Sequence, residues 1–205
     1  MFLVGVTGGI ASGKSTVTKL LGKYENEIID ADEIAREVVT PGSEGLQKVV
    51  VEFGPQVLLE DGTLDRAELA ETIFADPNKR STLEGILHPL IKARTMQRIM
   101  RSQSEIVFYV VPLLVEAKVD YPFDFVVTIE AGTKNQIKRL VENRGMSVEE
   151  ATSRITAQAT EAERVAKADL RIDGSVDLPD LEVVVANLWK QVQLMATNKA
   201  DRGKN

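Results

Sequence analysis

The residues that most restrict what this chain can become stand at its start. An apolar run over residues 2–7 breaks at Gly8-Gly9 and continues as Gly8-Gly-Ile-Ala-Ser-Gly13-Lys14-Ser15, the pattern G-x-x-x-x-G-K-[ST]. The run suits a buried strand, and residues 15–22 read as a helix closed by Gly22. A glycine-rich loop between strand and helix turns its backbone N–H groups inward and places the positive end of the helix dipole behind them, which is a seat for phosphate oxygens. Lys14 is expected to reach the β and γ phosphates of a nucleotide, and the Ser15 hydroxyl to coordinate Mg²⁺. Gly9, Ile10, Ala11, Ser12, Gly13, Lys14, Ser15 and Thr16 are the candidate contacts to those phosphates.

Such a loop belongs on a parallel α/β sheet, and the rest of the chain agrees. β-branched or apolar runs recur at 27–29, 106–111, 125–129 and, more weakly, 170–172, mostly separated by long helical stretches. Parallel neighbours need crossover connections, so alternation of this kind predicts about five parallel strands flanked by helices. Between the second and third strands about seventy residues show helical periodicity, with Leu69, Ala70, Ile73 and Phe74 in one stripe and Leu83, Ile86 and Leu87 in another. That block is too long for one crossover and reads as a helical insertion. His88-Pro89 is expected to divide two helices there, leaving His88 exposed at a helix N-terminus. Thr133-x-x-Gln136, Ser147-x-x-Glu150 and Thr160-x-x-Glu163 are three capping-box patterns, and Gly145 fits a helix stop. A last helix is expected over about 178–195, followed by a frayed polar tail.

Composition narrows the chemistry. The chain has no cysteine and one histidine, so thiolate metal sites, thiol nucleophiles and multi-imidazole sites are excluded. With 25 basic against 31 acidic side chains the net charge is −6, which gives no global attraction for nucleic acid. Anions must be held by a local basic site, and the segment 133–168 supplies one with Lys138, Arg139, Arg144, Arg154, Arg164 and Lys167. Arginine offers a planar fork for charge developing on a transferred phosphoryl group, and Arg139 and Arg144 are the candidates for it. The second strand ends in Ile29-Asp30-Ala31-Asp32. One of these acids can take the proton of an attacking hydroxyl, and either can help hold Mg²⁺ through water; the alternative is that one caps the next helix. Asn198-Lys199-Ala200-Asp201 spells a guanine-reading signature but sits after the last helix rather than after a core strand, and no D-x-x-G accompanies it.

Further pieces share an order and spacing: Ile34-Ala-Arg36, Pro41-Gly42, Asp61-Gly62-x-Leu64-Asp65-Arg66, Leu83-Glu84-x-Ile86-Leu87-His88-Pro89, Pro112-Leu113-Leu114-x-Glu116, Gln158, Ala168-Asp169 and Ile172-Asp173. With the loop and Asp30-Ala-Asp32, they make the chain resemble the dephospho-coenzyme A kinases over nearly its whole length. The resemblance implies transfer of the γ-phosphoryl of ATP to the ribose 3′-hydroxyl of dephospho-coenzyme A, the last step of coenzyme A synthesis. It also implies Asp32 as general base, Lys14, Arg139 and Arg144 as catalytic, and Arg66, His88 and Leu113 on the acceptor side. The sequence departs from the family at Val115, at Arg164, a position often lysine, and at Gly174, where asparagine is usual and a contact near the adenine is expected to be lost.

The expected organisation is one kinase domain over 1–205. Residues 1–40, 100–132 and 168–197 form the nucleotide-binding core, about 55–99 the coenzyme A-binding insertion, about 133–167 a lid and 198–205 a flexible tail. ATP and dephospho-coenzyme A are the expected small-molecule partners, with no nucleic acid and no membrane. A cytoplasmic monomer is expected. The competing reading is a kinase of the same fold acting on a nucleoside monophosphate or another small alcohol.

Overall fold

A computed structural model describes residues 1–74, 76–116 and 121–202. Its sheet has five strands: β1 (Phe2–Gly8), β2 (Glu27–Asp30), β3 (Ile106–Val110), β4 (Phe125–Glu130) and β5 (Leu170–Asp173), in the order β2-β3-β1-β4-β5. β1 is central and pairs in parallel with β3, Phe2 opposite Ile106, and with β4, Val4 opposite Phe125. β4 pairs in parallel with β5, Val127 opposite Leu170. Every residue of β1 and of β3 is buried, as continuous apolar runs require in a sheet covered on both faces.

The chain divides into two compact units, Met1–Ile28 with Ser102–Asn205, and Ile29–Arg101. In the first, α1 (Lys14–Leu21) contributes Val17 and Leu21, and α9 (Leu178–Arg202) contributes Leu181, Val185, Leu188 and Val192, to a core built on Val4, Val6, Phe108, Val127 and Ile129. Each such side chain is worth roughly 1.5–3 kcal/mol on burial. Trp189 of α9 stacks on Tyr24 with centroids 5.1 Å apart. The same unit carries α6 (Thr133–Arg144), α7 (Val148–Thr156) and α8 (Glu161–Val165).

The second unit holds α2 (Ala31–Glu37), α3 (Glu44–Phe53), a 3-10 turn at Pro55–Val57, α4 (Arg66–Phe74) and α5 (Pro77–Arg101). It has its own core of Val39, Leu46, Val49, Phe53, Val57, Leu64, Leu69 and Leu83, with Ile73, Ile86 and Leu87 packed against it. The Phe74 side chain lies outside the described residues.

Three expectations about helices need correction. α5 runs unbroken through His88-Pro89, so His88 is exposed in mid-helix rather than at an N-terminus. Proline removes the N–H that would bond the Gly85 carbonyl, but Leu83 before it and Thr95 and Ile99 after it are all buried and hold both halves in one helix. At the start of α6 the N-cap is Gly132, with φ 73° and no side chain to cap with, so Thr133 is the first helical residue and the expected capping box does not form; Gln136 has turned inward instead. The Ser147 and Thr160 capping boxes both form, and Gly145 ends α6 with φ 65°. α9 continues to Arg202, seven residues past Met195, so helix replaces most of the expected tail, whose residues 203–205 lie outside the described ones. Its last turns are tied down by Lys199, whose Nζ is 2.6 and 2.7 Å from the two carboxylate oxygens of Asp124. The guanine-signature look-alike is therefore part of a helix.

Candidate active site

The loop after β1 takes the curled form that its glycines anticipate. Gly8 and Gly13 have φ of 147° and 102°, and Ala11 also has a positive φ, 56°. A Cβ on Gly8 would lie 2.3 Å from the Ile129 carbonyl oxygen, so only glycine lets β1 leave the sheet this close to β4. Gly13 caps α1, and its carbonyl accepts from Thr16 and Val17 N–H. Lys14 folds back over the loop and its Nζ donates to the Gly8 carbonyl at 2.9 Å. Ser12 Oγ is buried with no hydrogen-bond partner among the described residues, an arrangement that costs roughly 1–3 kcal/mol until an acceptor or donor arrives.

Beside the loop opens a cavity of about 400 Å³, lined by Ala11, Gly13, Ser15 and Thr16 on one side, Arg139, Asn143 and Arg144 of α6 on another, and Gly174, Val176, Leu178 and Leu181 on the third. Its size is in the range that takes a nucleotide-sized ligand. Arg139 is the clamp of this wall: one terminal nitrogen donates to the Ala11 carbonyl at 3.1 Å and the other to the Gly174 carbonyl at 2.6 Å. Arg144 is exposed at the end of α6. Asp173, beside this wall, is held below the usual carboxylate range by the Ser175 hydroxyl and backbone N–H, with help from the charges of Arg171 and Arg139.

The structure thus brings the loop, Arg139 and Arg144 around one cavity. Leu113 is exposed beyond β3 and does not line it. Asp32, Arg66 and His88 belong to the other unit, all exposed. There the two aspartates separate in role: Asp30 caps α2, its carboxylate accepting from Asp32 N–H at 2.7 Å, while the Asp32 carboxylate has no such duty. The same unit places Glu37 between Arg94 and Arg98, and the Arg94 guanidinium holds its carboxyl below the usual range.

Around the loop lie residues to which the sequence assigned no part in holding it. Gln136 donates to the Ile10 carbonyl at 2.7 Å, and Gln158 accepts from the Ile10 N–H at 2.8 Å. Gln136 had a competing local reading as half of a capping box. Glu130, wholly buried at the end of β4, makes a two-pronged ion pair with Arg164 at 2.7 and 2.6 Å and accepts from Thr128 Oγ1 at 2.6 Å. Burial opposes the charge on Arg164, but the Glu130 carboxylate more than offsets it and raises the guanidinium pKa. Arg164, grouped in the sequence with the cations of the basic segment 133–168, is 4% exposed. The signal for Glu130 was an apolar run, Phe-Val-Val-Thr-Ile, ending in an acid.

The profile of the family described as dephospho-CoA kinase matches residues 2–180. The dephospho-CoA kinase of Thermobifida fusca is 44% identical over 194 residues, 94% of this chain and 97% of the relative. Among solved structures, a Thermus thermophilus protein superposes with a TM-score of 0.79 at 29% identity, covering 93% of this chain and 97% of that one. The dephospho-CoA kinase of Campylobacter jejuni does so with a TM-score of 0.70 at 25% identity, covering 93% and 96%. Sequence and fold agree along almost the whole length, and the chain belongs to the dephospho-CoA kinase family.

Proposed function

We propose that this chain transfers the γ-phosphoryl group of ATP to the ribose 3′-hydroxyl of dephospho-coenzyme A, giving coenzyme A and ADP, as a monomer in the cytoplasm. The observation that carries the reading is the curled loop with its buried, unpartnered Ser12 hydroxyl beside the arginine-walled cavity. Gly9 to Thr16 seat the donor phosphates, with Lys14 released from the Gly8 carbonyl to meet them. Arg139 and Arg144 balance charge developing on the transferred group. Asp32 accepts the proton of the 3′-hydroxyl as its oxygen bonds to the γ phosphorus and the bond to the ADP oxygen breaks. Arg66, His88 and Leu113 are assigned to the acceptor, residues of about 55–99 to its binding and 133–167 to a lid that excludes water.

Mg²⁺ fits the residues present as a largely hydrated ion. Among the described residues no three carboxylates or imidazoles form a cage, and Ser15 at the start of α1 is exposed and offers one hydroxyl. Magnesium keeps several waters and binds through few protein groups together with phosphate oxygens, whose charge it neutralises. No helix among the described residues is long and apolar enough to cross a membrane.

The direct test is Asp32→Asn in a coupled ADP-release assay with dephospho-coenzyme A. Turnover is expected to fall by at least about a hundredfold while ATP still binds; near-normal kcat sinks the base assignment. A panel of acceptors separates the readings, and preference for a nucleoside monophosphate would favour the competing one.

A further inference from the structure

The backbone of Ile10 is pinned on both sides, its N–H by Gln158 just beyond α7 and its carbonyl by Gln136 of α6. Its neighbour Gly9 is enclosed as tightly: a Cβ there would meet Gln136 Nε2 at 2.5 Å and a terminal nitrogen of Arg164 at 3.0 Å. Gly9 has no positive φ to explain it; the side chains packed on it do. Arg164 in turn is aimed by Glu130 through two parallel bonds, and its remaining terminal nitrogen donates to the Ala159 carbonyl. Ala159 N–H is fixed by Glu116 at 2.8 Å. The stretch 158–164 is therefore fastened to the sheet end at Glu130 and to the post-β3 segment at Glu116, and it presents Gln158 and Arg164 to the first half of the loop.

We propose that Glu130, acting through Arg164, is a positioning residue that sets the curl of the loop at Gly9–Ile10, and that Gln158 is the contact through which the same stretch grips it. The pair is electrically neutral and buried, so it serves geometry rather than attraction: the lysine and the α6 arginines supply charge, while this device keeps the loop shaped for the donor before the donor arrives. Because 158–164 lies within the segment assigned to the lid, loop shape and lid position are mechanically joined. The inference rests on the proposed donor site and is independent of which acceptor is used.

The test uses Glu130→Gln, Arg164→Lys and Gln158→Leu in the full chain, with MgADP binding measured by calorimetry without acceptor and with KM for ATP and for dephospho-coenzyme A measured separately. A lost loop contact is expected to raise the ADP dissociation constant and the ATP KM about fivefold to tenfold, with the acceptor KM unchanged within about twofold. Arg164→Lys keeps the charge but not the fork and is expected to behave like Glu130→Gln. Gln158→Leu leaves the buried charges paired and removes only the bond to the Ile10 N–H, so its effect on ADP binding is read in a chain that is still folded at the assay temperature, and it decides the matter where Glu130→Gln fails to fold. Lower thermal midpoints with unchanged ADP binding in the folded variants, or unchanged binding in Gln158→Leu, would overturn the proposal and leave the kinase reading standing. A wild-type chain that binds no ADP would overturn the donor site and the proposal with it.

Discussion

The Cβ that Gly174 lacks would lie 2.0 Å from the Ser12 carbonyl oxygen and 2.8 Å from a methyl carbon of Ile129. The sequence suggested that glycine here forfeits a contact; the structure gives it a task, because the turn after β5 presses on the loop and Arg139 ties the Ala11 and Gly174 carbonyls together. Gly174→Ala is expected to cost about 2 kcal/mol through forced displacement and to lower the thermal midpoint by about 4–8 °C; an unchanged midpoint in scanning calorimetry would refute the close approach. The loop residues were legible because their spacing is local and their chemistry generic. Gln136, Glu130 and Arg164 were not, since their partners lie 126 and 34 residues away and a polar side chain looks the same in sequence whether it faces water or a buried acid. Asp30 and Asp32 fall between these cases: the sequence offered capping and catalysis for the pair, and the capping geometry assigns Asp30 to the first.

Elements were read well where one rule governed them and misread where two competed. All five strands emerged from apolar runs ended by glycine, proline or acid. In α5 the local penalty of proline predicted a break, but burial on either side of Pro89 prevails, leaving a helix with one missing bond. Pro89→Ala restores the donor to Gly85 and is expected to recover part of the roughly 3 kcal/mol that an interior proline costs, seen as a higher thermal midpoint; no rise would mean that the helix has already relaxed around the ring. At the end of α9 polar composition suggested fraying, yet Lys199 reaches Asp124, and the same carboxylate accepts the Leu3 N–H of β1 at 2.8 Å. Lys199→Ala removes an exposed pair and is expected to cost under about 1 kcal/mol. Asp124→Ala also strands a strand N–H and is expected to cost about 1–3 kcal/mol. Urea unfolding of both variants checks that order.

For the whole molecule, acid is the expected weakness. Carboxyls in both units are held below their ordinary values of 4.5 and 3.8: Glu37 by the bond from Arg94, Glu163 by the Thr160 N–H, Asp173 by Ser175. The unfolded chain binds protons more tightly at these groups, so their stabilisation is complete above the ordinary values and is lost as pH falls through the depressed ones. Urea midpoints are expected to be level near neutrality and to decline below about pH 4.5; a flat profile to pH 3 would contradict it. The order of the strands has a different consequence, one of timing. β1 lies at the centre of the sheet, but its partners begin at Ile106 and Phe125, so on a ribosome adding about 5–20 residues per second the apolar strand bearing the phosphate loop waits about 5–20 s before either exists. Meanwhile Ile29–Arg101, contiguous and with a core of its own, is complete first. The nascent chain carries this apolar strand unpaired through that interval, which makes it a natural client for chaperones that cover exposed hydrophobic segments.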